Sequence, residues 1–375
     1  RDPAQIDAAF AQARPEVVFH LASIREPGLA ELVVREAVDT NVFGTGHIIE
    51  ACRRHGVAHA VYSSTGKCYA YLTDHVYTAS KKLAEAQWMQ AARENTGSTA
   101  FAMTRFTHVL ENGIIARDIA AGIEAGMVGL HGPDRHFNVQ NLRQATHLLI
   151  NALALSGSEA PDSFWSAVDL GWPVNTLELA LYEIARSGRD VGVRFLGVPK
   201  GYDESFFRGQ FDWSGEHEYH PLVNALEAPT GFADSTGTMI GARVSACPPE
   251  RLQQELRQLR AHLDSEADAG VKQALLQAVN GVTAAIFAST PPQRLLNILW
   301  WGAAPGWAGS PAAAARFKPL MAMLADTLLP FLERHPPADQ EGRMLLEIAE
   351  TFAAVPGLGG RADRLAELAQ LSSAA

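Results

Sequence analysis

Tyr77 and Lys81 stand four residues apart in HVYTASKKLAEA, just downstream of AHAVYSSTGK. On a helix, positions i and i+4 share a face, so this spacing points a phenol and an ammonium into one site. An ammonium beside a phenol favours the phenolate and lowers its pKa. A phenolate near neutral pH can take a proton from an alcohol or sugar hydroxyl. Thr65, or Ser64 beside it, would supply the hydroxyl that holds the substrate oxygen. Tyr and Lys at this spacing also occur on many helices as a half-buried ring and a surface cation. The elements around the pair therefore have to carry the reading.

Those elements alternate. Residues 3–13 read as a helix, with Ile6 and Phe10 at i, i+4 spacing, and PEVVFHLAS is a short apolar run of the kind buried on both faces of a parallel sheet. Residues 36–55 read as a helix stopped by Gly56, AHAVYSS as a second strand, 76–95 as the helix carrying Tyr77 and Lys81, and TAFAMTRF as a third strand. Strand, helix, strand, helix, strand with short links predicts a parallel sheet of βαβ units. Thr65 then lies at the C-terminal end of a strand, where open α/β sheets place their ligands. Further on come predicted helices over 138–155 and 176–187 and a strand in VGVRFLGV. From about 248 the sequence turns Ala/Leu/Gln/Glu-rich and helix-periodic, punctuated by Pro-Pro at 248–249, 291–292 and 336–337. That stretch carries no repeat and no evident chemistry.

Composition narrows the classes. A chain of 375 residues, 47% of them hydrophobic, can build two or three domains with a sizeable core. A net charge of −10 argues against a nucleic-acid surface, and the pairs Arg53–Arg54 and Lys81–Lys82 are isolated. Three widely spaced cysteines give neither a disulfide framework nor a metal spacing. There is no run of 18 apolar residues; LLNILWWGAAPGWAG is short and broken by Gly and Pro. A cytoplasmic location fits best. The chain begins with Arg1 and enters a helical pattern at once, as a fragment missing its start would, which leaves open a cytoplasmic part of a membrane-anchored protein.

Laid end to end, the first 225 residues resemble the extended short-chain dehydrogenases/reductases. The nearest group is the polysaccharide-biosynthesis nucleotide-sugar epimerases and 4,6-dehydratases. RPEVVFHLAS resembles that group's PDVVFHAAA strand and EAVDTNVFGTGHIIEAC its EAVKTNVFGT helix; SSTGK stands at STDK and YTASKKLAE at YGxSKxxAE. TRFTHVLENG follows at RFGNVLGS, HGPDRHFNV at the TRYFM segment, VDLGWPV at DMGEPV, FLGVPKGYDESFF at GLRPGEKxxEE, and EYHPLVNALE at the closing segment. The collinearity of these pieces carries the resemblance. It implies a doubly wound α/β fold of Rossmann type lacking its N-terminal units, with residues 1–105 as a truncated dinucleotide-binding domain. Residues 106–245 would be a substrate-binding region interleaved with the end of the sheet, and 248–375 an all-helical C-terminal domain. The group's glycine-rich phosphate loop would precede residue 1 by two βα units.

The resemblance also implies roles. NAD or NADP would be the cofactor, approached by Ala22, Asn41, Ser63, Tyr77 and Lys81, and a nucleotide sugar, most simply a UDP-sugar, the substrate. Tyr77 would take the C4 hydroxyl proton, Lys81 would lower its pKa and bond the nicotinamide ribose, and Thr65 would fix the C4 oxygen. Lys67 stands where the dehydratases carry the base that removes the C5 proton. His108 and Arg135 are expected at the substrate, Arg135 as a bidentate phosphate partner, and a homo-oligomer stays open. The departures are as informative. Gly66 replaces the Asp that protonates the C6 leaving group, His108 replaces an Asn, and Lys200 is the nearest cation to the Arg of GLRPGEK. His20 reads as a packed residue lining the cleft and Asn41 as a backbone brace near it. His217 and His220, with Glu216 and Glu218, match the closing segment of a group without a metal there, so no metal is expected. The altered positions favour a non-catalytic nucleotide-sugar-binding or assembly module; the retained Tyr77–Lys81 pair favours an enzyme.

Overall fold

The computed structural model describes residues 1–94, 97–111, 113–157, 162–265 and 267–372. The first helix, α1 (Pro3–Ala13), opens with proline in its first turn. The Asp2 carboxylate accepts from the Ala4 amide at 2.8 Å, satisfying a donor that a helix start leaves free. The sheet begins with β1 (Val17–His20), which pairs in parallel with β2 (His59–Thr65) from Val17↔His59 to His20↔Tyr62. β3 (Ala100–Phe106) runs parallel on its other side, from His59↔Ala100 to Thr65↔Phe106. The strand Ser163–Ala167 adds in parallel to β3. Beyond it the sheet turns antiparallel through Met239–Arg243 and Phe232–Ala233, making six strands. The parallel sheet expected from the sequence is present where the site lies, and the sheet is extended by an antiparallel edge.

Side-chain alternation along β2 assigns its two faces. Ala60 and Tyr62 pack with Trp88 and Met89, whereas Val61 packs on the other side with Leu148 and Ala152. Helices therefore cover both faces, as in a doubly wound fold. After β1 come α2 (Pro27–Leu32) and α3 (Val34–Val38); the first face of the sheet holds α4 (Gly44–Arg54) and α5 (Val76–Glu94), and the second holds the helix Leu142–Ala154. The single helix expected over 36–55 is broken: Val34–Val38 leads into a π turn at Asp39–Phe43 before α4. The extra residue of such a turn shifts the ladder, and Asn41 at its centre turns inward with 1% exposure.

One buried knot ties the sheet to the segment that closes it. Arg105, near the end of β3, makes a bidentate pair with Glu227 at 2.7 Å and donates to Glu85 on α5 at 2.8 Å. Its guanidinium lies 3.9 Å from the Phe164 ring centroid and also donates to the Leu222 carbonyl at 2.9 Å. All three charged residues are almost wholly buried. Burial opposes the charge on Arg105, but the two carboxylates raise its pKa and keep it ionised.

From Pro249 to Ser372 the described residues form helices joined by short turns, with no strand among them. These helices dock in two places. Pro249–Ser265 and Asp268–Ala288 share one core with Ala30, Val38, Val76 and Leu83 of the sheet domain. The later helices build a second core that takes in Tyr71, Phe207 and Ala225. Phe207 enters it against Gly302, where an added Cβ would sit 1.9 Å from the ring edge. Gly302→Ala is therefore expected to displace Phe207 and to cost ~1–3 kcal/mol as an overpacked contact. A denaturant titration that leaves the midpoint unchanged would show that this joint is looser than its geometry. Among the described residues, no helix is long and apolar enough to cross a membrane.

Candidate functional site

The site forms where β1, β2 and β3 end and α5 begins. Thr65 closes β2, and its hydroxyl caps the short turn Gly66–Tyr69, accepting from the Lys67 amide at 3.4 Å. Tyr77, one element on, lies close enough for the Thr65 hydroxyl to pull its pKa downward. Ser64 faces away: it is buried and donates to the Cys68 sulfur at 3.5 Å. Of the two hydroxyls offered by the sequence, Thr65 is the one beside the phenol.

Lys81 lies one turn along α5, 3% exposed, and its ammonium donates to the Ser63 carbonyl at 2.7 Å beneath the Tyr62 ring, 4.3 Å from the centroid. Burial pushes the Lys81 pKa down to about 8. Tyr77 behaves differently from the sequence expectation. Burial raises its pKa above the ordinary phenol value, and the negative field of Glu204 adds to this; Thr65 and Arg25 pull the other way without prevailing. In the ligand-free protein the phenol is neutral, because desolvation outweighs its cationic neighbours.

Lys67 is not a free amine. Its ammonium donates to the Glu204 carboxylate at 2.6 Å and to the Gly201 carbonyl at 3.3 Å. Glu204 also accepts from the Thr78 hydroxyl at 2.5 Å, and His75 Nδ1 lies 3.1 Å from it. His75, 1% exposed in its side chain, bonds Asp203 through Nε2 at 2.8 Å. Burial resists charge on His75, but Glu204 and Asp74 raise its pKa on balance. Burial likewise opposes charge on Glu204, and His75, Lys67 and Thr78 together lower its pKa. Glu204 and His75 were not legible as site residues in the sequence. The only signal was the sequence neighbourhood of His75, two residues before Tyr77.

Gly66, at the position of the missing acid, has no room for a side chain. A Cβ there would stand 2.3 Å from a Leu222 methyl and 3.4 Å from the Phe106 carbonyl. Leu222 fills the space that a carboxylate would need.

The remaining expected residues divide. His108 is half-buried against Phe137, ring centroids 4.8 Å apart. Burial lowers its pKa, and the charge of Lys67 lowers it further, which puts His108 in the electrostatic reach of this site. Arg135 is exposed and lines a cavity shared with Asp203 and Glu204. Ala22 is exposed just past the end of β1. Asn41, expected among the cofactor contacts, has its amide engaged elsewhere. It accepts from the Ile24 amide at 2.8 Å and donates to the Ile24 carbonyl and to Ser80, so it braces the 21–26 loop against α5. His20 is packed, stacking on Tyr62 and Trp88 and bonded to Thr45 at 2.9 Å; burial drops its pKa to about 3. Lys200 is engaged by Asp74 and by Asp203 at 3.7 Å. His220 has both ring nitrogens on backbone, one at the Ala167 carbonyl at 2.9 Å and one at the Leu222 amide at 3.2 Å.

What the arrangement can do follows from these contacts. A phenol beside a hydroxyl at strand ends, with a buried ammonium one turn away, is fitted to move a proton on or off a secondary alcohol. Lys81 has further N–H donors beyond the one on Ser63, and these with Tyr77 suit the ribose end of a nicotinamide nucleotide. Among the described residues no glycine-rich strand-to-helix turn is present to cradle a pyrophosphate.

The sequence profile of the family described as "Polysaccharide biosynthesis protein" matches residues 1–202, more than half of the chain. The probable polysaccharide biosynthesis protein EpsC of Bacillus subtilis is 30% identical over 192 residues, covering 50% of this chain and 31% of that protein. The UDP-N-acetylglucosamine 4,6-dehydratase (inverting) of Campylobacter jejuni is 31% identical over 112 residues, 29% of this chain and 32% of its own length. The matches thus span less than half of the length of these curated relatives. Among solved structures, that of Pen from Bacillus thuringiensis superposes with a TM-score of 0.52 over 64% of this chain and 70% of that one, at 19% identity. This likeness shows the fold.

Proposed function

The chain belongs to the polysaccharide biosynthesis protein family, and from that premise we propose that it acts as an NAD(P)-dependent nucleotide-sugar epimerase or related oxidoreductase at sugar C4. The observation that carries this reading is the Thr65–Tyr77–Lys81 arrangement at the strand ends. NAD(P)⁺, when bound, would supply the hydride acceptor and a positive charge that favours the phenolate. Thr65 holds the C4 oxygen, Tyr77 accepts its proton as C4 is oxidised and returns it on reduction, and Lys81 orients the ribose and favours the phenolate. A UDP-sugar is the substrate we favour, with Arg135 at its phosphates and His108 beside the sugar.

Once C4 is a ketone, the C5 proton is acidified. Lys67 is the residue in line to remove it, and in the ligand-free protein it is held by Glu204 at 2.6 Å, a contact it would have to leave to act. Glu204 is a weak base, because its neighbours lower its pKa. Elimination of water across C5–C6 also needs an acid at the C6 oxygen, and Leu222 closes that position at Gly66. We therefore read the enzyme as an epimerase or C5-exchange catalyst and a poor 4,6-dehydratase.

Incubation of the full-length protein with UDP-N-acetylglucosamine in heavy water, followed by mass spectrometry and NMR, tests this. The expected products keep the substrate's oxygen count and carry an inverted C4 or deuterium at C5. A product lighter by one water, formed at an ordinary enzymatic rate, would overturn the assignment of Gly66 as a lost acid. Binding of the nucleotide sugar with no change at C4 or C5 would favour the non-catalytic alternative.

A further inference from the structure

We propose that Arg316, from the helical C-terminal region, forms with Arg135 a two-sided clamp for the diphosphate of a nucleoside diphosphate sugar. The proposal rests on the functional reading above and extends it to a region with no assigned role. Both residues line one cavity of about 380 Å³, together with Asp203, Glu204, Phe206 and Phe317. A volume of that size suits a small ligand held on several sides.

The charges in this cavity do not cancel locally. Glu204 is taken by Lys67 at 2.6 Å, and Asp203 by His75 at 2.8 Å and Lys200 at 3.7 Å. Among the described residues neither Arg135 nor Arg316 has a carboxylate within ion-pair distance. Two arginines without an ion-pair partner thus line a concave space whose two acids already have basic partners. Guanidinium forks match phosphate oxygens bidentately, and two of them match the two adjacent phosphates of a diphosphate. Phe206, 48% exposed, adds a flat apolar surface beside them for a ring of the ligand.

Each arginine is placed by fixed structure. Arg135 precedes a strand pair in which His136 and Phe137 lie opposite Asn175 and Val174, and its carbonyl accepts from the Thr176 amide at 2.8 Å. Arg316 is bracketed by Ala314, 2% exposed, and by Phe317, whose ring lies 5.2 Å from that of Phe207. The same Phe207 is the residue clamped against Gly302. Docking of the helices thereby sets where Arg316 stands relative to Glu204, and so to the Tyr77 site.

Calorimetric titration of the full-length protein with UDP and with UMP, on the native chain and on Arg316→Gln and Arg135→Gln, tests the clamp. Each loss is expected to weaken UDP binding about tenfold, as removal of a charge-assisted bidentate contact does, with a smaller effect on UMP. Arg316→Lys should recover part of the affinity, and an unchanged melting temperature for Arg316→Gln would exclude misfolding as the cause. Native affinity for UDP in Arg316→Gln, with Arg135→Gln weakened, would overturn the role of Arg316 and leave the functional reading standing. If the native chain binds neither UDP nor UDP-N-acetylglucosamine, the functional reading itself fails and the clamp with it.

Discussion

Tyr77→Phe in the full-length protein is expected to lower turnover on a nucleotide sugar by ~10²–10⁴-fold, the usual contribution of a positioned proton-transfer group. The substitution removes one hydroxyl and keeps the ring that fills the start of α5, so folding and nucleotide binding should persist. The effect should fall on kcat, because the lost oxygen takes part in the proton transfer and not in holding the nucleotide. The pH dependence is a second signature. Burial raises the Tyr77 pKa in the ligand-free state, so activity limited by the phenolate should rise toward alkaline pH. It should flatten once NAD(P)⁺ is saturating. Turnover of Tyr77→Phe at the native rate would leave Tyr77 as a packed tyrosine and remove the main support for an enzyme.

Arg105→Leu is expected to destabilise the protein by ~3–5 kcal/mol, the range seen when one partner of a buried ion pair is removed. Glu85 and Glu227 would be left with less than 5% exposure and without the cation that hydrogen-bonds both. Arg105→Lys should recover only part of this, since an ammonium cannot reproduce two parallel bonds to Glu227 together with one to Glu85. Urea titrations of the three proteins provide the comparison. A loss under about 1 kcal/mol for Arg105→Leu would mean that the two carboxylates become protonated at little cost, contrary to the charged knot described above.

The sequence was legible where local pattern and local placement agree. The helix over 3–13, the three parallel strands and the helix carrying Tyr77 and Lys81 all follow from apolar period and turn residues, and all are present. The antiparallel edge was not readable: Phe232–Ala233 is two residues long, and nothing within Met239–Arg243 sets the direction in which it pairs. The π turn at Asp39–Phe43 keeps helical spacing nearly intact and so hides inside a helical pattern. At the site, Thr65, Tyr77 and Lys81 sit on two adjacent elements, and their approach could be inferred. Glu204 lies 137 residues from Lys67 in sequence, and only the tertiary fold brings them to 2.6 Å. For the same reason the Tyr77 pKa is not legible in the sequence: spacing reveals a cation nearby, while desolvation depends on everything packed around the ring.

The shared core between the sheet domain and the helices Pro249–Ser265 and Asp268–Ala288 bears on how this protein can evolve. A module appended by gene fusion brings its own closed interior and can later be exchanged or deleted. Here Val38 and Leu83 of the sheet domain share one interior with Leu275 and Val279 of the appendage. A change of volume on either side has to be answered on the other. The two halves are bound to a common ancestry of substitutions, and trimming the chain near residue 248 would strip the outer cover from the very helix that holds Tyr77 and Lys81.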